Sequence, residues 1–138
     1  YVYIASKQAM QEWSERFAHT LRSGDVVSLE GTLGAGKTQV VQWIAQALGA
    51  DRPASSPTFS LVNHYRTPNR DLYHLDLYRL ESPNELEDID YETYFYPEEA
   101  ITFLEWAEKA KDYLPHGMVH VQIVVKEGEA REVSVWRD

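Results

Sequence analysis

The chain has 138 residues, 43% of them hydrophobic, and a formal net charge of −9 from 13 basic and 22 acidic residues. The length predicts a single domain over residues 1–138, and the charge argues against binding of bare nucleic acid, which calls for a basic surface. The chain has no cysteine, which excludes disulfides and thiolate metal sites, and no stretch is apolar enough to cross a bilayer, so we expect no membrane contact.

The first half of the chain alternates strand and helix patterns. Residues 2–4 predict a short strand, and Ser6 is placed to cap a helix that runs to about Leu21. Residues 25–30 have the pattern of a buried strand, and a helix over 39–48 follows a glycine-rich segment. After a linker at 49–57, strands at 59–65 and 71–77 with a turn between them predict a hairpin.

The second half predicts further strands separated by short helices. Helical segments are expected at 83–86, 90–95 and 106–111, and a buried strand at 100–104. Strands at 118–126 and 132–136 flank a tight turn at 127–129. The whole pattern predicts an α/β fold, with a mixed, largely parallel central sheet flanked by helices.

The glycine-rich segment carries the strongest functional signal. Residues 31–38 read Gly-Thr-Leu-Gly-Ala-Gly-Lys-Thr and fit G-x-x-x-x-G-K-[ST], the phosphate-binding loop of nucleotide hydrolases and kinases. Its backbone N–H groups are expected to converge on phosphate oxygens at the start of a helix. Lys37 is expected to reach the outer phosphates, and Thr38 to ligate Mg²⁺. The predicted nucleotide-binding residues of the loop are Gly31, Leu33, Gly34, Ala35, Gly36, Lys37, Thr38 and Gln39.

Two acidic residues follow predicted strands, at the end of a sheet where ligands of α/β proteins gather. Asp76 is the candidate for a second Mg²⁺ anchor through a water, and Glu105 for orienting the attacking water. The alternatives are a capping role or a pair with Arg79 for Asp76, and a helix N-terminal charge for Glu105.

Three further features each allow two interpretations. Thr58 lies in the loop at 55–59. It is interpreted as a contact for Mg²⁺ or the third phosphate, and the alternative is a residue of a plain turn. His64 and His74 fit structural roles better than a metal pair, for which more ligands are needed. The acidic stretch at 81–92 is either a solvated face or a contact for a basic patch on a partner.

Four segments in register extend the pattern beyond the loop: residues 29–38, Ser-Pro-Thr-Phe-Ser-Leu-Val at 56–62, His-Leu-Asp-Leu-Tyr-Arg-Leu at 74–80, and Leu-Glu-Trp-Ala-Glu-Lys at 104–109. Together they resemble the bacterial TsaE (YjeE) family. The resemblance implies a cytoplasmic, Mg²⁺-dependent ATPase needed for N6-threonylcarbamoyladenosine at position 37 of tRNA. It also implies TsaB and TsaD as protein partners, weak activity without them, and contact with tRNA only through that complex.

Matched onto this chain, the resemblance assigns roles to single residues. Lys37 and Thr38 take the phosphate and Mg²⁺ roles, with Lys37 also catalytic, and Thr58 matches a switch-like threonine. Asp76 matches the acidic metal residue, and Glu105 with Trp106 matches a pair implicated in hydrolysis and nucleotide binding. The chain departs from the family pattern at Thr32, where an acidic residue is common, and at 88–91, where a glycine is usual.

Two other functions stay open on the residues alone. A small metabolite kinase shares the phosphate-binding loop, although no arginine-rich lid segment is visible. A nucleotide-controlled binding module would also use the loop but would not depend on Glu105 for turnover. Adenine specificity has no visible motif.

Overall fold

The computed structural model describes residues 2–32, 34–51, 62–78 and 80–138. Within these residues one seven-stranded sheet has the order β1-β7-β6-β2-β5-β4-β3. The strands are β1 Val2–Ile4, β2 Val26–Glu30, β3 Val62–Arg66, β4 Asp71–Asp76, β5 Ile101–Glu105, β6 Val119–Val125 and β7 Arg131–Arg137. The helices are α1 Lys7–Ala18, α2 Lys37–Ala47 and α3 Tyr91–Phe95, with 3₁₀ helices at Pro83–Ile89 and Ala107–Tyr113.

The sheet is parallel in its centre and antiparallel at both sides. β6, β2, β5 and β4 run parallel, whereas β7 with β6, β1 with β7, and β3 with β4 are antiparallel. The α/β class, with a mixed sheet flanked by helices, is therefore confirmed, and the parallel pairing is confined to the four central strands. Because parallel strands end at the same edge, β2, β4 and β5 deliver their carboxyl ends together.

Helices α1 and α2 cover one face of the sheet. The Ser6 hydroxyl caps α1 by accepting from the backbone N–H of Ala9 at 3.1 Å, as the sequence predicted. The helix ends at Ala18 rather than near Leu21, because the N–H groups of His19 and Thr20 bond only three residues back. Buried residues of α2 complete this core with strand residues, namely Val40, Val41, Trp43, Ile44 and Ala45.

Short helices cover the other face of the central strands and form a second core. Its buried residues include Leu75, Leu86, Phe95 and Leu104. The segments expected at 83–86 and 106–111 are 3₁₀ helices that extend to Ile89 and Tyr113. The side chain of Glu85 caps its own helix by accepting from the N–H groups of residues 81 and 82. All six acidic residues of the 81–92 stretch are solvent-exposed.

Asp90 lies in the segment 88–91, near which the family usually has a glycine. Its backbone is left-handed, with φ 56° and ψ 57°, a conformation that aspartate tolerates better than most residues. The side chain accepts a hydrogen bond from the Thr93 hydroxyl at 2.8 Å. Aspartate therefore serves the turn between the 3₁₀ helix and α3 without a glycine. In the described ranges, no helix has the length and apolar character required to cross a membrane.

Candidate functional site

The glycine-rich loop begins where β2 ends and leads into α2. A Cβ atom at Gly31, whose φ is 155°, would lie 2.7 Å from the carbonyl oxygen of Ile123 in β6, so the close approach of two strands requires glycine. Gly36 has φ 100°, and a Cβ there would meet nothing within 4 Å. The loop thus combines a left-handed backbone with open space in front of the first turn of α2, the arrangement that suits an anion.

Lys37 is the first residue of α2, and its side chain is held inside the loop. The residue is 4% exposed, its ammonium donates to the carbonyl oxygen of Gly31 at 2.9 Å, and it lies 3.7 Å from the centre of the Trp106 ring. Burial lowers the pKa of Lys37, while nearby carboxylates, Glu105 foremost, oppose the shift. The cation is therefore desolvated and aimed at the loop before any ligand is present.

Thr38 and Glu105 are in direct contact. The Thr38 hydroxyl lies 3.0 Å and 2.9 Å from the two carboxylate oxygens of Glu105, and Nε2 of His74 lies 2.6 Å from one of them. Burial alone would raise the pKa of Glu105, but the hydrogen bond and electrostatic attraction of His74, the hydrogen bond of Thr38 and the charge of Lys37 outweigh burial and lower it. Glu105 is thus an ionised carboxylate, although it is only 3% exposed.

Asp76 lies beside Glu105 in the register of the parallel strands β4 and β5. It is half-buried, and its carboxylate accepts from the backbone N–H of Tyr78 at 3.0 Å, a contact within the turn that follows β4. The Tyr78 ring packs 5.1 Å from that of Trp106, whose backbone is left-handed at φ 60°. The ends of β4 and β5 are therefore joined by an aromatic contact.

These groups surround one cavity of about 300 Å³. Its lining is Gly34, Gly36, Lys37, Thr38, Gln39, Asp76, Tyr78, Glu105 and Trp106. The structure therefore brings together eight of the residues predicted from sequence and adds Tyr78, which sequence reasoning missed. Gly31 and Ala35 line the two adjoining cavities. Leu33 and Thr58 lie outside the described residues, and so does Arg79.

One of these adjoining cavities and a more distant one show how far the site extends. One of about 310 Å³ adjoins the loop and is lined by Met10, Ala35, Gln39, Trp43 and Arg131, among others. A larger one, of about 750 Å³, lies at the opposite edge of the sheet, where β4 and β5 begin. It contains none of the predicted site residues, and the chemistry described above is at the smaller cavities.

His64 and His74 bond to different carboxylates. His64 contacts Asp71 at 2.9 Å on the exposed side of the hairpin, whereas His74 is buried against Glu105. His74 therefore belongs to the site, which sequence reasoning missed. The period of a strand offered a signal for it, since residues 74 and 76 of β4 lie on the same face.

Comparisons with known proteins agree with the four sequence segments. The model of the family "Threonylcarbamoyl adenosine biosynthesis protein TsaE" matches residues 4–133. The chain is 36% identical over 137 residues to a protein of Nostoc, with 97% of this chain and 83% of that protein covered. It is 36% identical over 138 residues to a protein of Aquifex aeolicus, with 99% and 95% covered. Both are named tRNA threonylcarbamoyladenosine biosynthesis protein TsaE.

A solved structure is similar over the same extent. The crystal structure of Bacillus subtilis YdiB superposes with a TM-score of 0.77 at 25% identity, covering 97% of this chain and 82% of that one. The family model, the relatives and the fold point to the same conclusion. The chain belongs to the TsaE family of tRNA threonylcarbamoyladenosine biosynthesis proteins.

Proposed function

We propose that this protein is a cytoplasmic, Mg²⁺-dependent ATP hydrolase that acts on the TsaB–TsaD complex during threonylcarbamoyladenosine formation on tRNA. The observation that carries the proposal is the cavity shared by Lys37, Thr38, Asp76 and Glu105. A buried cation, a hydroxyl and two carboxylates lie there at the carboxyl edge of a parallel sheet. These are the groups that phosphoryl transfer needs for positioning and charge stabilisation.

The loop fits a polyphosphate. Gly34 and Gly36 face open space, so no side chain obstructs the first turn of α2. Lys37 would supply positive charge to the outer phosphates, and the backbone N–H groups of residues 34–38 would supply hydrogen bonds. Burial of Lys37 strengthens its interaction with a phosphate, because water screens the pair less there than at the surface.

The oxygen donors of the cavity fit Mg²⁺, which prefers hydroxyl, carboxylate and water ligands. Thr38 and Asp76 would hold the ion, and Glu105 would orient the Thr38 hydroxyl and the attacking water. When bound, Mg²⁺ supplies positive charge that neutralises the phosphate oxygens. Because the pKa of Glu105 is lowered, its carboxylate is in the form that accepts a hydrogen bond from that water.

The cavity of about 310 Å³ beside Ala35 is the candidate for the nucleotide base. Met10 and Trp43 supply apolar surface to it, and Arg131 borders it while donating to the carbonyl oxygen of Ala35 at 3.3 Å. A purine stacks well on such surface. This placement extends the nucleotide from the phosphate loop across the start of α2 toward α1.

The protein partners supply the route to tRNA. A net charge of −9 disfavours direct contact with a polyanion at physiological salt. The relatives in the TsaE family are named for threonylcarbamoyladenosine biosynthesis on tRNA. We therefore propose that TsaD paired with TsaB bears the tRNA contact and that ATP turnover here resets the pair.

The test is ATP turnover by the purified chain, alone and with TsaB–TsaD, measured as ADP and free phosphate. We expect slow turnover alone, faster turnover with the pair, and equal amounts of the two products. Absence of turnover in both conditions would refute the proposal. ADP formed without free phosphate would instead indicate phosphorylation of an acceptor, as a metabolite kinase performs.

A further inference from the structure

The buried histidine of β4 makes a contact that the loop motif does not predict. We infer that His74 is a positioning residue of the nucleotide site, because it fixes the Glu105 carboxylate against the Thr38 hydroxyl. The inference rests on the proposed function. It concerns how that site is held, not which nucleotide enters it.

The burial of the pair is the first step. His74 is 1% exposed and Glu105 3% exposed, and Nε2 of His74 lies 2.6 Å from Oε2 of Glu105. A buried polar ring costs free energy unless it is hydrogen-bonded, and a leucine would suit the interior of a sheet better. The hydrogen bond with Glu105 is therefore what a histidine provides at this position and a leucine could not.

The second step concerns the other ring nitrogen. Among the residues that the structure describes, Nδ1 of His74 has no hydrogen-bond partner. If the ring carried its only proton on Nδ1, it would leave a buried N–H group unsatisfied and would give Glu105 no donor. The geometry therefore places a proton on Nε2, which donates to Glu105, and within the described ranges the ring makes no second polar contact that competes with this role.

The third step leads to the reactive groups. With Oε2 held by His74, both oxygens of Glu105 face the Thr38 hydroxyl, at 3.0 Å and 2.9 Å. Thr38 donates its hydrogen to the carboxylate, so the direction of its O–H bond is set by Glu105. Lys37 is held separately, by Gly31. Loss of His74 should therefore disturb Thr38 and Glu105 more than the binding of phosphates by Lys37.

The experiment compares three variants. His74→Leu removes the donor, His74→Gln returns an amide donor, and His64→Leu is the control, since His64 has a side chain 45% exposed and bonded to Asp71. We expect kcat to fall about tenfold in His74→Leu with KM nearly unchanged, a loss typical of residues that orient a ligand. His74→Gln should recover most of that loss, and His64→Leu should match the wild type.

Two readouts do not depend on turnover. Calorimetry should measure the affinity for ADP with Mg²⁺ and with a chelator in its place. In His74→Leu we expect the affinity without Mg²⁺ to equal that of the wild type, and the increase in affinity that Mg²⁺ brings to be lost. Nitrogen NMR of the wild type should show the His74 proton on Nε2, and Glu105→Gln should shift that resonance.

Distinct results would overturn the inference and the function. A His74 ring without a proton on Nε2, or unchanged kcat and Mg²⁺ dependence in His74→Leu, would overturn the positioning role. Equal losses in His74→Leu and His74→Gln, together with a lower melting temperature, would overturn it in favour of plain packing. A folded wild type that neither binds nor hydrolyses ATP would overturn the proposed function, and the NMR measurement would still decide whether the His74–Glu105 pair exists.

Discussion

Two histidine–carboxylate pairs lie near the end of β2, one on the side of β5 and one on the side of β6. They differ in burial and in the partners of the second ring nitrogen. On the β5 side, the side chains of His74 and Glu105 are 1% and 4% exposed. On the β6 side, His120 contacts Glu30 with side chains 14% and 31% exposed, and its second nitrogen contacts Asp138 at 2.8 Å. The β5 pair leaves one nitrogen of its ring without a partner among the described residues, whereas both nitrogens of His120 are bonded.

The role of each pair depends on its burial and on whether the second ring nitrogen has a hydrogen-bond partner among the described residues. A ring that donates one hydrogen bond from a buried position fixes the geometry of its carboxylate. A ring between two carboxylates, partly in water, favours the protonated form. The β5 side of the loop is therefore suited to orienting a ligand, and the β6 side to a pH-dependent contribution to stability.

The largest expected effect separates the two carboxylates. Glu105→Gln should lower ATP turnover about a hundredfold, because a group that orients and activates water contributes 10²–10⁴ in rate. Glu30→Gln, at the end of β2, should stay close to the wild type. Single-turnover rates at saturating ATP check this, and equal losses in both variants would contradict the division between the two sides.

Lys37→Ala should weaken ATP binding by at least about tenfold, since a charge-assisted contact contributes about 1.5–3 kcal/mol. The matched control is Lys126→Ala, directly after β6, where the Lys126 ammonium is paired with Glu132 at 3.4 Å. It should bind ATP like the wild type in calorimetry. Undiminished affinity in a folded Lys37→Ala protein would remove the loop from the nucleotide site.

Asp76→Asn should raise the Mg²⁺ concentration needed for half-maximal ATP binding by about fivefold, because an amide lacks the charge that strengthens such contacts. Asp138→Asn, which removes a charge from the β6 side, should leave this midpoint unchanged. A titration of binding against Mg²⁺ decides the matter. If Asp76→Asn has the same Mg²⁺ midpoint as the wild type, Asp76 is not a Mg²⁺ anchor, and its role is the hydrogen bond with the backbone N–H of Tyr78.

The smallest effect is a pH dependence of stability. Burial alone would lower the pKa of His120, but hydrogen bonds with Glu30 and Asp138 outweigh it and raise the pKa above its ordinary value, which is about 6.5. The stabilisation is therefore fully present below that value and is lost as the pH rises through the folded-state pKa.

Urea unfolding of the wild type and His120→Gln at several pH values measures this dependence. The wild type should exceed the variant by about 1 kcal/mol in acid, the upper range for partly exposed pairs, and the difference should shrink in mild alkali. A difference that grows with pH would have the wrong sign and would refute the protonated pair.

Local patterns were sufficient to predict the loop and the strand ends. The motif at 31–38 fixed the position of Lys37 and Thr38, and parallel strands placed Asp76 and Glu105 at one edge. The family resemblance supplied the role of Trp106. The α/β class followed from strands alternating with helices.

Contacts between distant segments escaped prediction because they depend on packing. No local signal shows that the Thr38 hydroxyl meets Glu105, 67 residues away, or that Tyr78 packs on Trp106. The acidic stretch was treated as a charge pattern, yet Glu85 is a helix cap. Partner docking at that stretch stays a prediction, and a charge reversal there should spare Glu85 and use exposed Asp88 and Glu92 instead.

The contacts of the Lys37 ammonium with Gly31 and Trp106 affect the entropy of nucleotide binding. A lysine side chain loses about 1.5–2 kcal/mol of rotamer entropy when it is ordered. Here Gly31 and Trp106 already hold its ammonium in the folded protein, so folding rather than ligand binding bears most of this loss. Trp106→Ala should therefore make ATP binding entropically less favourable in calorimetry, even where the number of phosphate contacts is the same.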